Sequence, residues 1–393
     1  MPPGDGEPEP LLIGVDGGAS EVKAHAALVL ADGAPLTLAL GPEAASTCYE
    51  RSAGFEPLPM SEQLFAVERG RVRPSAAELA QGRLWIAGAA SAILSVASQA
   101  ECTRAYVGVC MPGIKSADGR GIVALKNGPR MPAYLAELEA ALAEGGLELA
   151  RPIPALASDG DASALGEECD PHGALRGVAN AYEIGGGTGV AEAFKLGGEL
   201  VSLDALAPHV PKAWQMQSRL GAGFEELVAT RGINERYAAR SAERVPGDRG
   251  EYPETRAKAG DRVAREVLGD TARALAELVF ARLEALHRGV PRGARTHLPR
   301  AGTLLDRIVV GQRLGQLFAD PELAEFLRDP FEAELAAELE RSSERALRER
   351  YLNGAALRVD LVHASKLRAA PALGAAALAW RARGNARVSR TSA

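Results

Sequence analysis

The chain carries two glycine turns of one design, and that repetition limits what it can fold into. One is GVDGGAS, from Gly14 to Ser20; the other is EIGGGTG, from Glu183 to Gly189. Each belongs to an apolar run, LLIGVD or ANAYEI, and each turns through glycines to a small hydroxyl residue, Ser20 or Thr188. An apolar run that breaks into consecutive glycines reads as a buried strand entering a tight hairpin. Such a turn aims backbone N–H groups outward, as anion sites require. The succession of strand, glycine turn, strands, then strand and helix occurs once in each half. A duplicated α/β fold with a cleft between its halves is the economical expectation.

Between the turns lies SDGDASALGE, Ser158 to Glu167, whose Asp159 stands where a strand passes into a helix. One glycine turn would mean little. Two of them flanking an acidic segment point to phosphoryl transfer, with backbone donors for phosphates and a carboxylate placed to act on an acceptor hydroxyl.

Composition excludes several other classes. With 393 residues the chain exceeds one ordinary core, and 47% hydrophobic with 24% charged residues is a globular make-up. The net charge of −6 argues against nucleic acid as a partner, because neutralising phosphates needs a basic surface. Cys48, Cys102, Cys110 and Cys169 show no metal-ligand spacing and read as reduced thiols, so no zinc is expected. The opening MPPGDGEPEP lacks the basic and apolar regions of a signal peptide. The longest apolar stretch, around IAGAASAILSVA, is too short for a membrane span. A cytoplasmic chain with no membrane partner is expected.

The periodicity sets out the elements. Strands are expected over 11–40 with a hairpin turn at Ala31–Gly33, then an irregular stretch from Gly41 to Arg73. A helix follows over 74–100, a buried strand over Ala105–Pro112, an amphipathic helix closed by Gly145 and Gly146, and a strand PIPALASD. Beyond the second turn, segments 214–230, 253–289 and 320–350 have helical spacing, RIVVGQRLGQLF is strand, glycine turn and helix, ALRVDLVHAS is a strand, and APALGAAALAWRA is a closing helix. The implied division is a tail over 1–10, an N-terminal domain over 11–157 joined by helix 370–384, a second domain over 158–369, and a flexible tail over 385–393.

At these residues the chain resembles the sugar-kinase, actin and heat-shock ATPase superfamily, and within it the ROK group of bacterial sugar kinases and related repressors. Asp16-Gly17-Gly18-Ala19-Ser20 matches the group's first phosphate motif, SDGDASALGE its catalytic segment without a gap, and Gly187-Thr188-Gly189 its second phosphate motif. RIVVGQRLG and PALGAAALA resemble its nucleotide-side turn and terminal helix, and KNGPRMPAYL a segment whose Asn touches the sugar. The resemblance implies two ribonuclease-H-like domains, ATP with Mg²⁺, a small-molecule sugar, and a homodimer as a family-level expectation. It implies Asp159 as general base and Asp16 as a water-mediated Mg²⁺ partner. It further implies Gly17, Gly18, Ser20, Gly187, Thr188, Gly189, Gly311 and Gly374 at the nucleotide, and Asn127, Ser158 and His209 at the sugar.

Departures accompany the match. The group's Cys-rich zinc segment is absent, its Glu-x-Gly-His motif is reduced to Leu206-Ala207-Pro208-His209, and Ala191, Glu192 and Ala193 replace glycines after the second turn. The adenosine-side double glycine is Gly311-Gln312. No helix-turn-helix precedes the first turn, which disfavours the repressor branch. A non-catalytic sugar- or nucleotide-binding relative is the alternative to a kinase. Read locally, Asp161 is the better N-cap of the helix after Asp159, and Glu167 and Glu168 face solvent. Ser20 and Thr188 also fit as plain turn residues, as Asn127 does before Gly128, and Lys23 as an ordinary strand residue.

Overall fold

The computed structural model describes residues 9–206, 210–241, 252–289 and 302–384. The chain divides into two units, Met1–His172 with Ala369–Ala393, and Gly173–Arg368. The division falls after the helix that follows Asp159, so that helix stays with the first unit.

The first unit begins with an antiparallel meander, β1 (Leu11–Gly17), β2 (Glu21–Ala31) and β3 (Thr37–Cys48). Helices α1 (Met60–Glu68) and α2 (Ala76–Gln99) lead to β4 (Arg104–Cys110), which runs parallel to β1. The short hairpin β5 (Ile114–Lys115) and β6 (Ile122–Ala124) precedes α3 (Tyr134–Glu144), β7 (Glu148–Leu149) and α4 (Asp159–Cys169). The sheet order is β3-β2-β1-β4-β7. Alternation along β1 decides what lies on each face. Ile13 and Val15 join Val22, Trp85, Ile93 and Leu138 in a core closed by α2 and α3.

Helix α2 starts with a capping box, Ser75 with Glu78, and Glu78 is itself buried against Arg130 at 2.6 Å. It is long and apolar enough to cross a membrane, contrary to the expectation that no stretch reaches that length. More than half of its apolar window is buried within the protein, as in a core helix.

The second unit repeats the plan. Strands β8 (Ala181–Gly186), β9 (Val190–Leu196) and β10 (Glu199–Val201) form the meander. Helices α5 (Leu203–Leu206), α6 (Phe224–Val228), α7 (Thr230–Arg240), α8 (Pro253–Lys258) and α9 (Arg262–Arg288) follow. Then come β11 (Arg307–Gly311), α10 (Gln312–Ala319), α11 (Arg328–Arg341), α12 (Arg345–Tyr351), the small hairpin β12 (Leu352–Asn353) and β13 (Ala356–Leu357), and β14 (Val362–Ala364). The order β10-β9-β8-β11-β14, with β11 parallel to both neighbours, matches the first sheet strand for strand. The duplicated α/β expectation holds. The chain returns to the first unit as α13 (Ala370–Ala382).

One buried ion pair organises the second unit. Glu192 on β9 and Arg282 on α9 are each 1% exposed in their side chains, 2.7 Å apart. Glu192 also accepts the Tyr182 hydroxyl at 2.8 Å and the Ala213 N–H at 2.9 Å. It thereby ties the strand after the second glycine turn to α9 and to the segment at 213. Nearby, Glu277 on α9 accepts from the Ser218 hydroxyl at 2.7 Å and the Arg219 N–H at 3.1 Å.

Several local expectations need correction. The stretch from Gly41 to Arg73 is not irregular throughout: β3 runs on to Cys48, and α1 follows. Beyond Gly41 every second β3 residue is exposed, so the strand lacks the apolar alternation that marks a buried one. PIPALASD supplies only one bridge, Ala157 with Cys110, its prolines leaving little to pair. ALRVDLVHAS is split between β13 and β14.

Candidate active site

The first glycine turn inherits its geometry from β1. Gly14 and Asp16 share a face with their register partners Gly108 and Cys110 on β4. Helix α13 lies directly on that face: a Cβ on Gly14 would fall 1.8 Å from the Ala372 carbonyl oxygen. Asp16 emerges beside the first turn of α13, where the Cys110 thiol reaches the Pro371 carbonyl at 3.7 Å. Gly17 is packed tightly, since a Cβ there would meet the Met111 Sδ at 1.8 Å. Gly18 closes the turn by donating its N–H to the Glu21 carbonyl at 2.8 Å, and Ser20 is exposed at the tip.

The strand register brings the acidic segment alongside. Asp16 pairs with Cys110, and Cys110 pairs in turn with Ala157, so three neighbouring segments align. Two residues after Ala157 the chain enters α4 at Asp159. Ser158 is the N-cap, extended at φ −73 and ψ 154, and its Oγ accepts the Asp161 N–H at 3.1 Å. The helix therefore starts before Ala162, and Asp161 is its capped residue rather than its cap. Asp159 occupies the first helical turn, a favourable place for a carboxylate, and its Oδ1 accepts the Gly160 N–H at 3.0 Å.

Electrostatics ties these groups together. Burial, first, and then the charge of Asp159 push the Asp16 carboxyl up to about 6, against opposition from Lys23 and the Cys110 thiol. Lys23 is the cross-strand partner of Asp16 and also pairs with Glu21 at 2.7 Å. Burial and the two carboxylates push the Cys110 thiol well up, so it stays protonated. Cys110 and Lys23 were not assigned to the site from sequence. The strand register would have exposed them, but only after β1, β2 and β4 had been paired correctly.

The other expectations for this unit fare differently. Asn127 sits half-buried in the turn after β6, and its side chain makes no hydrogen bond among the described residues. That turn is fixed from behind, because Gly128 abuts Trp85 and Arg130 pairs with Glu78. Gly374 is a seam residue: a Cβ on it would fall 1.8 Å from the Ala162 carbonyl oxygen of α4. Its backbone faces α4, so the position has a packing requirement of its own. Glu167 is buried at 1% exposed, not solvent-facing, because it lies on the α4 side turned inward, while Glu168 is half-buried.

In the second unit, Gly187, Thr188 and Gly189 form the loop between β8 and β9, closed by the Gly187 N–H on the Gly189 carbonyl at 2.9 Å. The Thr230 hydroxyl and the Arg231 N–H hold the preceding carbonyls, of Gly186 at 2.9 Å and Gly187 at 3.3 Å. Thr188 is half-buried, and its hydroxyl makes no hydrogen bond among the described residues. Gly311 ends β11 directly opposite Gly185, so the structure gathers Gly185, Gly187, Thr188, Gly189 and Gly311 at one end of the sheet. Gln312, next in the chain, is left-handed at φ 55 and also belongs there. His209 lies outside the described residues. Among the described residues no three His, Cys, Asp or Glu side chains come together as a metal-binding set.

No protein-family model matches the chain, and no curated protein matches it in sequence. Solved structures match over nearly all of it. A ROK family glucokinase from Streptomyces griseus, in complex with glucose and AMPPNP, is 18% identical with a TM-score of 0.55, covering 94% of this chain and 99% of that one. An inorganic polyphosphate/ATP-glucomannokinase from Arthrobacter sp. strain KM is 17% identical with a TM-score of 0.51, covering 95% and 100%. A ROK family transcriptional regulator, a homolog of the E. coli MLC protein, is 13% identical with a TM-score of 0.51, covering 94% and 78%. At such identities the likeness is one of fold. The chain shares the two-sheet α/β fold of these structures.

Proposed function

We propose that the protein transfers the terminal phosphoryl group of ATP to a hydroxyl of a hexose-like sugar. The observation that carries this reading is the alignment of Asp16 on β1 and Cys110 on β4 with Ala157, bridged to Cys110, two residues before Asp159. The sugar-kinase fold of the neighbours supports it. In the proposed step the sugar oxygen forms a bond to the γ-phosphorus as the bond to the β,γ-bridging oxygen breaks. Asp159 takes the hydroxyl proton, and ADP leaves. Positioning and charge neutralisation supply most of the rate in such transfers.

The other residues take roles consistent with their settings. Gly17, Gly18 and Ser20 contact phosphate in the first unit, and Gly187, Thr188, Gly189 and Gly311 in the second. Asn127 and Ser158 contact the sugar; for His209, outside the described residues, that role rests on the resemblance alone. The first unit also fits Mg²⁺: Asp16 and Asp159 are hard oxygen donors whose mutual repulsion a cation relieves. Mg²⁺ is commonly held through one or two carboxylates and its own waters. When bound it would neutralise phosphate charge, with Asp16 holding it through water.

The regulator among the neighbours motivates a second reading, a sugar- or nucleotide-binding protein without turnover. One experiment separates the two: ADP release with Mg-ATP across hexoses, amino sugars and N-acetylated sugars, with Asp159→Asn as control. The kinase reading expects sugar-dependent turnover that falls by about 10²–10⁴ in the variant. Sugar or nucleotide binding without ADP release would favour the second reading.

A further inference from the structure

Helix α9 carries a charged stripe where it passes the C-terminal end of α7. Arg262, Arg265, Glu266, Gly269, Asp270 and Arg273 recur at helical spacing along one face, and Arg240 of α7 stands across from them. Together they line an open hollow of about 510 Å³, within the range of small-molecule sites. Its charge is one-sided, although the chain as a whole carries −6. Asp270 serves three guanidinium groups at once: Arg236 and Arg240 donate to its Oδ2 at 2.9 and 2.8 Å, and Arg273 to its Oδ1 at 2.5 Å. Glu266 accepts from Arg262 at 2.7 Å. Five guanidinium groups thus meet two carboxylates, and positive charge is left over. Burial, and after it the charges of Arg240 and Arg273, work against the Arg236 guanidinium, with Asp270 opposing them.

Two features show more than a solvated charged face. Arg265 is fixed in place: its Nε donates to the Ala257 carbonyl at 2.9 Å, and its guanidinium lies 4.5 Å over the Phe326 ring. The floor of the hollow is Gly269, inside a 27-residue helix, where glycine is the least favoured residue after proline. No neighbour demands it, since a Cβ there would meet nothing within 4 Å. Gly232 on α7 differs, because a Cβ there would fall 2.2 Å from the Glu226 carbonyl oxygen. The bare backbone at Gly269 leaves room for a group to enter between the arginines.

We propose that this groove binds a compound with adjacent phosphoryl groups, its oxygens on Arg240, Arg265 and Arg273 and its body over Gly269. Guanidinium forks match phosphate oxygens in pairs, and several converging forks suit a multiply charged anion better than a single carboxylate. The groove is separate from the glycine turns. Arg240 ends α7, about 15 Å along the helix from Thr230, whose hydroxyl holds the Gly186 carbonyl. The proposal stands independently of the kinase reading.

The test is calorimetric titration of inorganic tripolyphosphate and of fructose 1,6-bisphosphate, without magnesium or nucleotide, with amide hydrogen exchange followed over 236–240 and 262–273. The proteins are wild type, Gly269→Glu, and Arg240→Gln with Arg273→Gln. Gly269→Glu places a carboxylate in open space and should keep the melting temperature. Both variants should weaken binding by about tenfold or more, the usual loss for hydrogen bonds between charged groups. Exchange over both helical segments should slow when wild type binds. Binding of tripolyphosphate alone identifies inorganic polyphosphate as the source, and binding of the bisphosphate alone a phosphorylated metabolite. Affinities equal within about twofold in all three proteins overturn the proposal, as does protection elsewhere with none on α9. Sulfate binding as tightly as either probe, or no binding of either, also overturns it.

Discussion

Asp16 and Cys110 are register partners on adjacent parallel strands, with the Cys110 Sγ 3.8 Å from the Asp16 Oδ1. The thiol is protonated and neutral, so it offers the carboxylate a weak donor and no charge. Burial and Asp159 therefore prevail and hold Asp16 at about 6.

That shift has a sign in stability. A carboxyl raised on folding binds its proton more tightly in the native state than in the unfolded one. Its contribution is fully present below the unfolded value near 3.8 and is lost as pH rises through about 6. Asp16→Asn, neutral at every pH, should therefore melt above the wild type at pH 7.5, and the gap should close towards pH 4. The shift corresponds to about 3 kcal/mol at most, and less where water reaches the half-buried carboxyl. Thermal melts of both proteins across this range check it. A variant less stable than wild type at pH 7.5 would mean that Asp16 makes stabilising contacts that outweigh its desolvation.

The second prediction concerns the seam under the acidic segment. Gly374 on α13 meets the backbone of α4 at Ala162, and Gly166 on α4 meets Ala370 in the same way. No side chain can rotate to relieve such a clash, because the obstructing atoms belong to the backbone. Gly374→Ala should cost about 1–3 kcal/mol, as overpacking typically does. It should also lower kcat by moving α4, which carries Asp159. Denaturant titration and steady-state rates measure the two effects. A variant that loses nucleotide affinity at unchanged stability would return Gly374 to the cofactor contact expected from sequence.

How much of this was legible follows from where the signals reside. Both glycine hairpins, the strands feeding them and the closing helix could be read, because apolar runs broken by glycine and helical spacing are local patterns. The helix entered at Asp159 was legible locally, while the role proposed for Asp159 came from the resemblance carried by SDGDASALGE. What was not legible depends on pairing over distance. Cys110 joins Asp16 only through the β1–β4 register, and Glu192 finds Arg282 across a span that no local pattern bridges. The packing contact of Gly374 was not legible, because a glycine demanded by a backbone contact and one demanded by a ligand are the same letter. The cap was misassigned because Ser158 and Asp161 are both good capping residues, and only the extended backbone at Ser158 decides between them.

Ser158 carries two roles that can be separated. As the N-cap it holds the Asp161 N–H, and as a proposed sugar contact it would also bear on substrate binding. Ser158→Ala should lose about 1 kcal/mol of stability, the usual cost of a missing cap. Ser158→Asp should restore that stability, since Asp caps equally well. If Ser158 also touches the sugar, the Asp variant keeps a raised sugar KM despite its recovered melting temperature. A sugar KM that returns to wild type with stability would confine Ser158 to capping.

The last prediction concerns the buried pair Glu192 and Arg282. Glu192 accepts from the guanidinium, the Tyr182 hydroxyl and the Ala213 N–H, so all of its oxygen capacity is engaged inside the protein. Removing only the cation leaves a buried carboxylate with two neutral donors. Arg282→Met should therefore destabilise the protein by about 3–5 kcal/mol. Replacing both partners, Glu192→Leu with Arg282→Met, removes the charge along with its partner and should recover much of that loss, although Tyr182 and Ala213 then lose an acceptor. The double variant should still differ from wild type at the segment around 213, where the Ala213 N–H no longer has Glu192 to hold it. Amide hydrogen exchange reads this directly: faster exchange at Ala213 in a well-folded double variant identifies the pair as the organiser of that segment. Unchanged exchange there would show that the segment is held by its other contacts, among them those to Glu277.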